Sequence, residues 1–376
     1  MLSKITRNFN VLNGQKDLIK MKSIKNFPVF MGVTKKNIKR DKRFNMNFYI
    51  SKSTGVVQLN PILPFKTIYQ KGHNSGLIGS LWKQHHLEFA KFVKKFKPKK
   101  VLEIGGGHGM LSKNLNSNHK NWTIIEPNPS PIRGCKAKFI KGYFSKNIIK
   151  NVEYDTIVHS HVLEHVFYPK DFLREISSSL KENQKMIFSI PNLQEMIKRK
   201  YTNALNFEHT LYLDEVILDF LCKLFSFKII KKQYFKKDHS IFFALKKTSN
   251  TKFTKIKNNY KKNKKLFQDY FKNYDILTKK INKGVRLHKN RNVFLFGAHV
   301  FSQYLISLGL NQNKILYILD NDKMKQNQRL YGTKLSVKSP EILKNYNSPL
   351  VVLKAGVYND EIRKQIYKIN KSTKII

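Results

Sequence analysis

The chain has 376 residues, a formal net charge of +48 from 72 Lys+Arg against 24 Asp+Glu, and 41% hydrophobic residues. That length and apolar content allow two or three domains with a sizeable core and exclude a disordered chain. Only two cysteines, Cys135 and Cys222, are present and they lie far apart, which excludes a disulfide scaffold and a zinc site of their own.

No run approaches the ~18–20 apolar residues a membrane span needs. The segment from Met1 to Lys20 has basic residues without the continuous apolar stretch of a signal peptide, so a cytoplasmic location is expected. A basic excess of this size attracts polyanions. The lysines, however, are dispersed along the whole chain. The local runs Lys94–Lys100, Lys246–Lys247 and Lys261–Lys265 read as solvated faces or linkers rather than as a nucleic-acid surface.

In chain order, residues 1–72 form a small, partly irregular N-terminal lobe. They are polar and basic with little periodicity to about residue 45. A hairpin follows over Asn45–Gln58, turning at Ser53-Thr54-Gly55. Residues 73–248 form the next unit. It opens with a helix over His73–Phe96 whose apolar positions are Leu81, Leu87, Phe89, Phe92 and Phe96, and which ends before Pro98. Strands at Val101–Ile104, Trp122–Ile125, Ala137–Ile140, Thr156–His159, Lys185–Ser189, Phe227–Gln233 and Ser240–Leu245 alternate with helices. That alternation predicts an α/β, doubly wound, mainly parallel sheet. Residues 249–290 predict a helical linker whose aromatics Phe253, Tyr260, Phe267, Tyr270, Phe271 and Tyr274, with Ile256 and Ile276, recur at helical spacing as a packing stripe. Residues 291–376 predict a second Rossmann-like α/β unit, with strands at Val293–Ala298, Ile315–Asp320 and Leu350–Leu353 and helices at Phe301–Leu308 and Asp360–Tyr367.

Chemistry concentrates in Val101-Leu-Glu-Ile-Gly-Gly-Gly-His-Gly109, a strand, a tight turn and a helix start at Leu111. Glycines let backbone approach a ligand closely and take positive φ. A dinucleotide fingerprint reads G-x-G-x-x-G; this turn reads E-x-G-x-G-x-G. About 20 residues on, Trp122-Thr-Ile-Ile-Glu126 ends a second strand in a carboxylate, where an acid that holds ribose hydroxyls belongs. Tyr154-Asp-Thr-Ile-Val-His-Ser-His-Val-Leu-Glu-His-Val166 is the third signal. In this order the three resemble the class I S-adenosylmethionine (SAM) methyltransferases. In those enzymes the glycine turn passes under the amino-acid part of the cofactor, and the last two strands of the sheet form an antiparallel end hairpin.

The wider layout resembles the sugar C-methyltransferases, which methylate a ring carbon of a nucleotide-linked keto-deoxysugar. Gly55-Val-Val-Gln-Leu59, Tyr69, Ser75-Gly76 and His85 or His86 echo that family's lead-in. Asn206-Phe-Glu-His-Thr-Leu-Tyr212 resembles its Y-H-E-H-x-x-Y segment. Leu295-Phe-Gly-Ala298, Ile318-Leu-Asp320, Gly332-Thr333 and Asp360-Glu-Ile362 resemble its terminal domain. Two departures stand out. The region before Gly55 has no cysteine, so the family's four-cysteine zinc module has no counterpart, and no metal site is expected. The family's Tyr-His has become Asn206-Phe207.

The resemblance implies SAM held by Glu103, Gly105, Gly107 and Gly109 at the methionine end and by Glu126 at the ribose. Tyr143 and Phe144 would flank adenine, and His161 would edge the pocket. It implies a nucleotide sugar or other small molecule as substrate, bound near Tyr69, Ser75, Asn206 and Tyr212. A carbon beside a ketone becomes nucleophilic only after losing a proton, and a histidine, which titrates near ~6.5, suits that task. His209 is the candidate base, with Glu208 orienting it or holding a hydroxyl. His165 reads as capping or packing the helix after the fourth strand. At Gly297 and Asp320 a single-glycine turn reads as a packing half rather than a cofactor site. An O- or N-methyltransferase on a glycan or metabolite, and a non-enzymatic SAM-fold scaffold, remain alternatives. An RNA methyltransferase fits less well, because His159-Ser-His161 stands where base N-methyltransferases often carry an Asp/Asn-Pro-Pro-Tyr/Phe motif, and neither cysteine sits in a Pro-Cys setting. Oligomeric state is not encoded legibly.

Overall fold

A computed structural model describes residues 3–68, 80–201, 203–249 and 255–376. The central sheet has seven strands: β1 Val101–Ile104, β2 Asn118–Glu126, β3 Lys136–Lys141, β4 Thr156–Ser160, β5 Lys185–Pro191, β6 Phe227–Phe235 and β7 Ser240–Lys247. Their order across the sheet is β6-β7-β5-β4-β1-β2-β3. All run parallel except β7, which is antiparallel to both β5 and β6. The central strands are buried on both faces, β1 at every position, which is why they read as continuous apolar runs. The direction of winding reverses between β1 and β4. Loops leaving their carboxyl ends therefore part and leave a crevice, where ligands of open α/β sheets bind.

The helix predicted over His73–Phe96 is described as Ser80–Lys94 (α1). Phe89, Phe92 and Val93 bury against the sheet, whereas Leu87 is half exposed, against expectation. Tyr69 and Ser75, and with them any substrate role, lie outside the described residues.

Within the first 45 residues, which show little periodicity in the sequence, the chain forms a regular strand. Leu18–Pro28 is an 11-residue strand, paired antiparallel with Arg43–Ser51. The hairpin behind it is present, Arg43–Ser51 pairing with Val57–Leu59. A 28-residue helix, α2 (Tyr260–Leu287), buries Phe267, Tyr270, Phe271 and Tyr274 against this lobe, while Ile276 is 58% exposed and outside the stripe.

The C-terminal sheet is wholly parallel. Its strands β8 (Val293–Phe296), β9 (Tyr317–Leu319), β10 (Val337–Lys338), β11 (Leu350–Val352) and β12 (Lys374–Ile375) lie in the order β10-β9-β8-β11-β12. The N-terminal lobe is stitched to it. Val33–Thr34 pairs with Arg329–Leu330, and the Arg329 guanidinium grips both oxygens of Asp41 at 2.6 Å. Gln303 Nε2 donates to the carbonyls of Phe30 and Tyr331.

Candidate active site

The turn after β1 is built from positive-φ glycines, Gly105 at 72°, Gly107 at 44° and Gly109 at 68°. A Cβ at Gly109 would lie 2.2 Å from Cys135 Sγ, and one at Gly106 2.7 Å from the Glu103 carboxyl carbon, so the turn is packed from below. At Gly107 the nearest atom to such a Cβ is Glu126 Oε2, 4.0 Å away, so that face is open for a ligand to rest on backbone. Glu126, at the end of β2, accepts the Gly107 N–H at 3.1 Å through one oxygen and the Asn128 N–H at 2.9 Å through the other. Each oxygen keeps a lone pair for a vicinal diol. Together these fit the methionine and ribose ends of SAM.

Glu103 lies beneath the turn, 4% exposed, with Oε2 accepting the Trp122 indole N–H at 2.7 Å. Burial raises its carboxyl to about 7. It braces the glycine turn rather than opening onto the crevice. Tyr143 is 54% exposed and stacks on Phe65, which stacks in turn on Phe167 at 4.0 Å. Phe144 departs from expectation, since it turns toward the core and packs edge-on against Phe172.

The second grouping gathers at the loop after β4. Glu164 is fully buried in the turn Leu163–His165. Its Oε1 lies 3.3 Å from His161 Nδ1 and 3.6 Å from His165 Nε2. These contacts are loose, and neither carboxylate oxygen has a well-formed hydrogen bond. Burial would raise this carboxyl, but the contact from His161 and the charges of His165, His161 and His209 outweigh it and hold it at about 2. The ring of His165 meets that of His209 edge to face at 5.3 Å. His165 is thus part of the constellation, not a helix cap. Nδ1 of His209 sits 2.9 Å from the Ala204 carbonyl. A carbonyl can only accept, so Nδ1 carries the proton and Nε2 keeps the basic lone pair.

Two assignments change. Asn206 Oδ1 accepts the backbone N–H groups of Glu208 and His209, at 2.8 and 3.0 Å, so its side chain shapes this loop instead of reaching for substrate. Tyr212 is 2% exposed and packs edge-on to Phe267 in the core, so it is not a substrate contact. Glu208 is buried beside His209.

Arg7, which no local pattern marks, ties these loops together. It is fully buried and donates to the carbonyls of Phe167 (2.7 Å), Thr210 (2.7 Å) and Leu59 (2.9 Å). Phe167 follows His165 by two residues and Thr210 follows His209 by one. Burial pulls the guanidinium down to about 10.

His161 takes φ 54° and leans toward Trp82, His85, Ser240 and His239; its neighbour Val162 is the residue that abuts Gly105. In the C-terminal unit Asp320 accepts the N–H groups of Ala298 and Asp322 and pairs with Lys325, so its carboxylate closes its own turn.

Residues 79–231 match a family model described as a methyltransferase domain, and residues 247–376 match one described as a C-methyltransferase C-terminal domain. A curated relative, the mitochondrial ubiquinone biosynthesis O-methyltransferase of Schizosaccharomyces pombe, is 26% identical over 106 residues, which is 25% of this chain. The chain spans 38% of that relative's length. Among solved structures, a SAM-dependent methyltransferase from Archaeoglobus fulgidus is 17% identical with a TM-score of 0.37, covering 45% of this chain and 95% of that one. Magnesium protoporphyrin IX methyltransferase from Synechocystis PCC 6803 with bound SAM is 14% identical with a TM-score of 0.33, covering 48% of this chain and 89% of that one.

Proposed function

We propose, from the premise that this chain is a SAM-dependent methyltransferase with a C-methyltransferase C-terminal domain, that it methylates a ring carbon of a nucleotide-linked keto-deoxysugar. The observation that carries this reading is the His165–His209 pair, 5.3 Å apart beside a buried Glu164. O-methylation of an acidic hydroxyl needs little more than positioning, whereas carbon needs a base and a place for the charge that follows.

Gly105, Gly107, Gly109 and Glu126 would hold SAM, with Tyr143 for its adenine, and the cofactor would supply a methyl group already activated on a sulfonium. Glu103 sets the turn that receives it. Nε2 of His209 removes the proton beside the sugar ketone, and its Nδ1–H stays on the Ala204 carbonyl, so the ring does not rotate as it becomes an imidazolium. The negative charge of the fully buried Glu164 offsets that new positive charge. His165, whose ring meets that of His209 and whose Nε2 lies 3.6 Å from Glu164, would donate to the oxygen on which enolate charge collects. Asn206 and Arg7 hold the two loops in register, so the cost of orientation is met before the substrate arrives.

The test is SAM binding by calorimetry, followed by a panel of nucleotide-linked 4-keto-sugars with mass detection of an added methylene and NMR of its position. Expected is transfer to carbon, abolished in His209→Ala with SAM affinity intact. Transfer to oxygen or nitrogen only, unaffected by His209→Ala, moves the reading to an O- or N-methyltransferase of a glycan or small metabolite. Absence of SAM binding leaves a scaffold.

A further inference from the structure

His85 comes from α1, His161 from the end of β4 and His239 from the turn between β6 and β7, yet one ring nitrogen from each lies within 4.8 Å of the other two. We propose that these three histidines are the ligands of a divalent transition metal, zinc by preference, at a site separate from the base pair of the proposed reaction.

Four observations converge. First, two ring nitrogens converge on one hydroxyl: His161 Nε2 and His239 Nδ1 both meet that of Ser240, at 3.1 and 2.6 Å, while His85 Nε2 is taken by the Ser189 hydroxyl at 3.0 Å, which leaves Nδ1 as its nitrogen for an ion. Second, the present pairing leaves buried polar atoms over. Nδ1 of the fully buried His85 has no hydrogen-bond partner, nor has the hydroxyl of Ser160, which sits beside Ser189 in register. Buried polar groups left this way are uncommon without an ion or water to meet them. Third, the far nitrogen of His161, Nδ1, faces the Glu164 carboxylate at 3.3 Å. A carboxylate behind an imidazole that offers its other nitrogen forward is the outer support of metal-bound histidine. Fourth, the Trp82 ring stands near-perpendicular to all three rings with centroids 5.0–5.2 Å away, an apolar neighbour shared by the whole cluster.

Three imidazoles and a free fourth position suit zinc, which binds nitrogen at ~2.0–2.1 Å. Tetrahedral bonds of that length set the nitrogens roughly 3.4 Å apart. Closing from at most 4.8 Å therefore takes side-chain adjustments of about an ångström. Imidazole also excludes the hard alternatives, calcium and magnesium, which take oxygen. No cysteine is needed, so the missing cysteines of the first 55 residues do not bear on this site.

The test uses the full chain, stripped with a chelator and titrated with Zn2+ by calorimetry, then with Co2+ by visible absorption. Expected is one Zn2+ per chain and the d–d bands of tetrahedral Co2+. His239→Ala and His85→Ala should weaken binding by about two orders of magnitude or more, with SAM affinity and circular dichroism as checks on folding. His239→Cys should keep the ion and add thiolate-to-cobalt charge transfer, which reports on the site even if the alanine variants fail to fold. His209→Ala should leave Zn2+ affinity unchanged. No stoichiometric binding overturns the proposal. Binding that survives His239→Ala but is lost in His209→Ala overturns it too, since the ion would then sit on Glu164, His165 and His209, the other histidine-bearing cluster.

Discussion

Replacing Arg7 should loosen the two histidine-bearing loops while leaving the sheet intact. The guanidinium makes three charge-assisted hydrogen bonds to buried carbonyls, each ~1.5–3 kcal/mol, so about 5–9 kcal/mol in all. Against this stands the burial of a cation with no carboxylate beside it among the described residues. The fall from 12.5 to about 10 corresponds to about 3 kcal/mol against the charged form. The balance is a net tie of about 2–6 kcal/mol. In Arg7→Ala the cation's cost disappears, but the carbonyls of Leu59, Phe167 and Thr210 are left dry at ~1–3 kcal/mol each. A chain of this size does not unfold in one step, so the effect is to be read locally. Amide exchange by mass spectrometry over residues 163–168 and 205–213 should rise by about two orders of magnitude, the equivalent of ~3 kcal/mol, with residues 185–191 and 240–247 unchanged. Arg7→Lys, which retains charge but not the three-way fork, should fall between. Unchanged exchange in both loops, or an equal rise across the whole sheet, would refute the idea that Arg7 acts on these loops.

Glu126→Ala should weaken SAM binding at least tenfold by calorimetry, since it removes both a diol acceptor and the anchor of the Gly107 amide; unchanged affinity would move the ribose elsewhere. Glu103→Gln should alter the pH dependence of stability in the cofactor-free protein. The folded carboxyl titrates near 7 against an ordinary 4.5, so the wild type has its full stability below about 4.5, loses it as pH rises through 7, and above that carries a cost of about 3 kcal/mol. Denaturant midpoints of variant and wild type should agree near pH 4 and separate in the variant's favour at pH 8, provided the glutamine oxygen still takes the Trp122 N–H. Gly109→Ala should destabilise by ~2 kcal/mol or more, through left-handed φ and the Cys135 contact; partial rescue by Cys135→Ala in thermal melts separates the two causes. Asp41→Asn leaves Arg329 without its carboxylate. With the two side chains only 2% and 14% exposed, ~3 kcal/mol should be lost, visible as faster exchange over residues 329–333.

The inner strands of the central sheet, Val101–Ile104 and Thr156–Ser160 above all, were legible because parallel strands buried on both faces are unbroken apolar runs. Leu18–Pro28 was not, for a reason the ladder makes plain. Register shifts at Lys20/Lys22 and between Ile24 and Phe27 break the two-residue alternation that marks a strand. Phe144 and Tyr143 are adjacent, so sequence gives both the same neighbourhood, but successive residues diverge and only Tyr143 faces outward. The nearness of His165 to His209, like that of His85 to His161 and His239, is set by the tertiary fold, which brings together elements 44 to 154 residues apart. Lone histidines in a sequence carry no mark of which turns will meet. Asn206 and Tyr212 were drawn toward substrate by their motif, while backbone hydrogen bonding and burial give one to the loop and the other to the core.

The lobe's two anchors also set an order of events on the ribosome. Chains are made from the N-terminus at ~5–20 residues per second, and domains fold as they emerge. The central sheet closes on itself once residue 247 is out. Arg7 appears early but must wait for Phe167 and then Thr210, 160 and 203 residues later, and Asp41 waits 288 residues for Arg329. Arg7 can therefore draw the histidine-bearing loops together once residue 210 is out, whereas the Asp41 end of the basic N-terminal segment stays an unsecured strand pair until Arg329 follows.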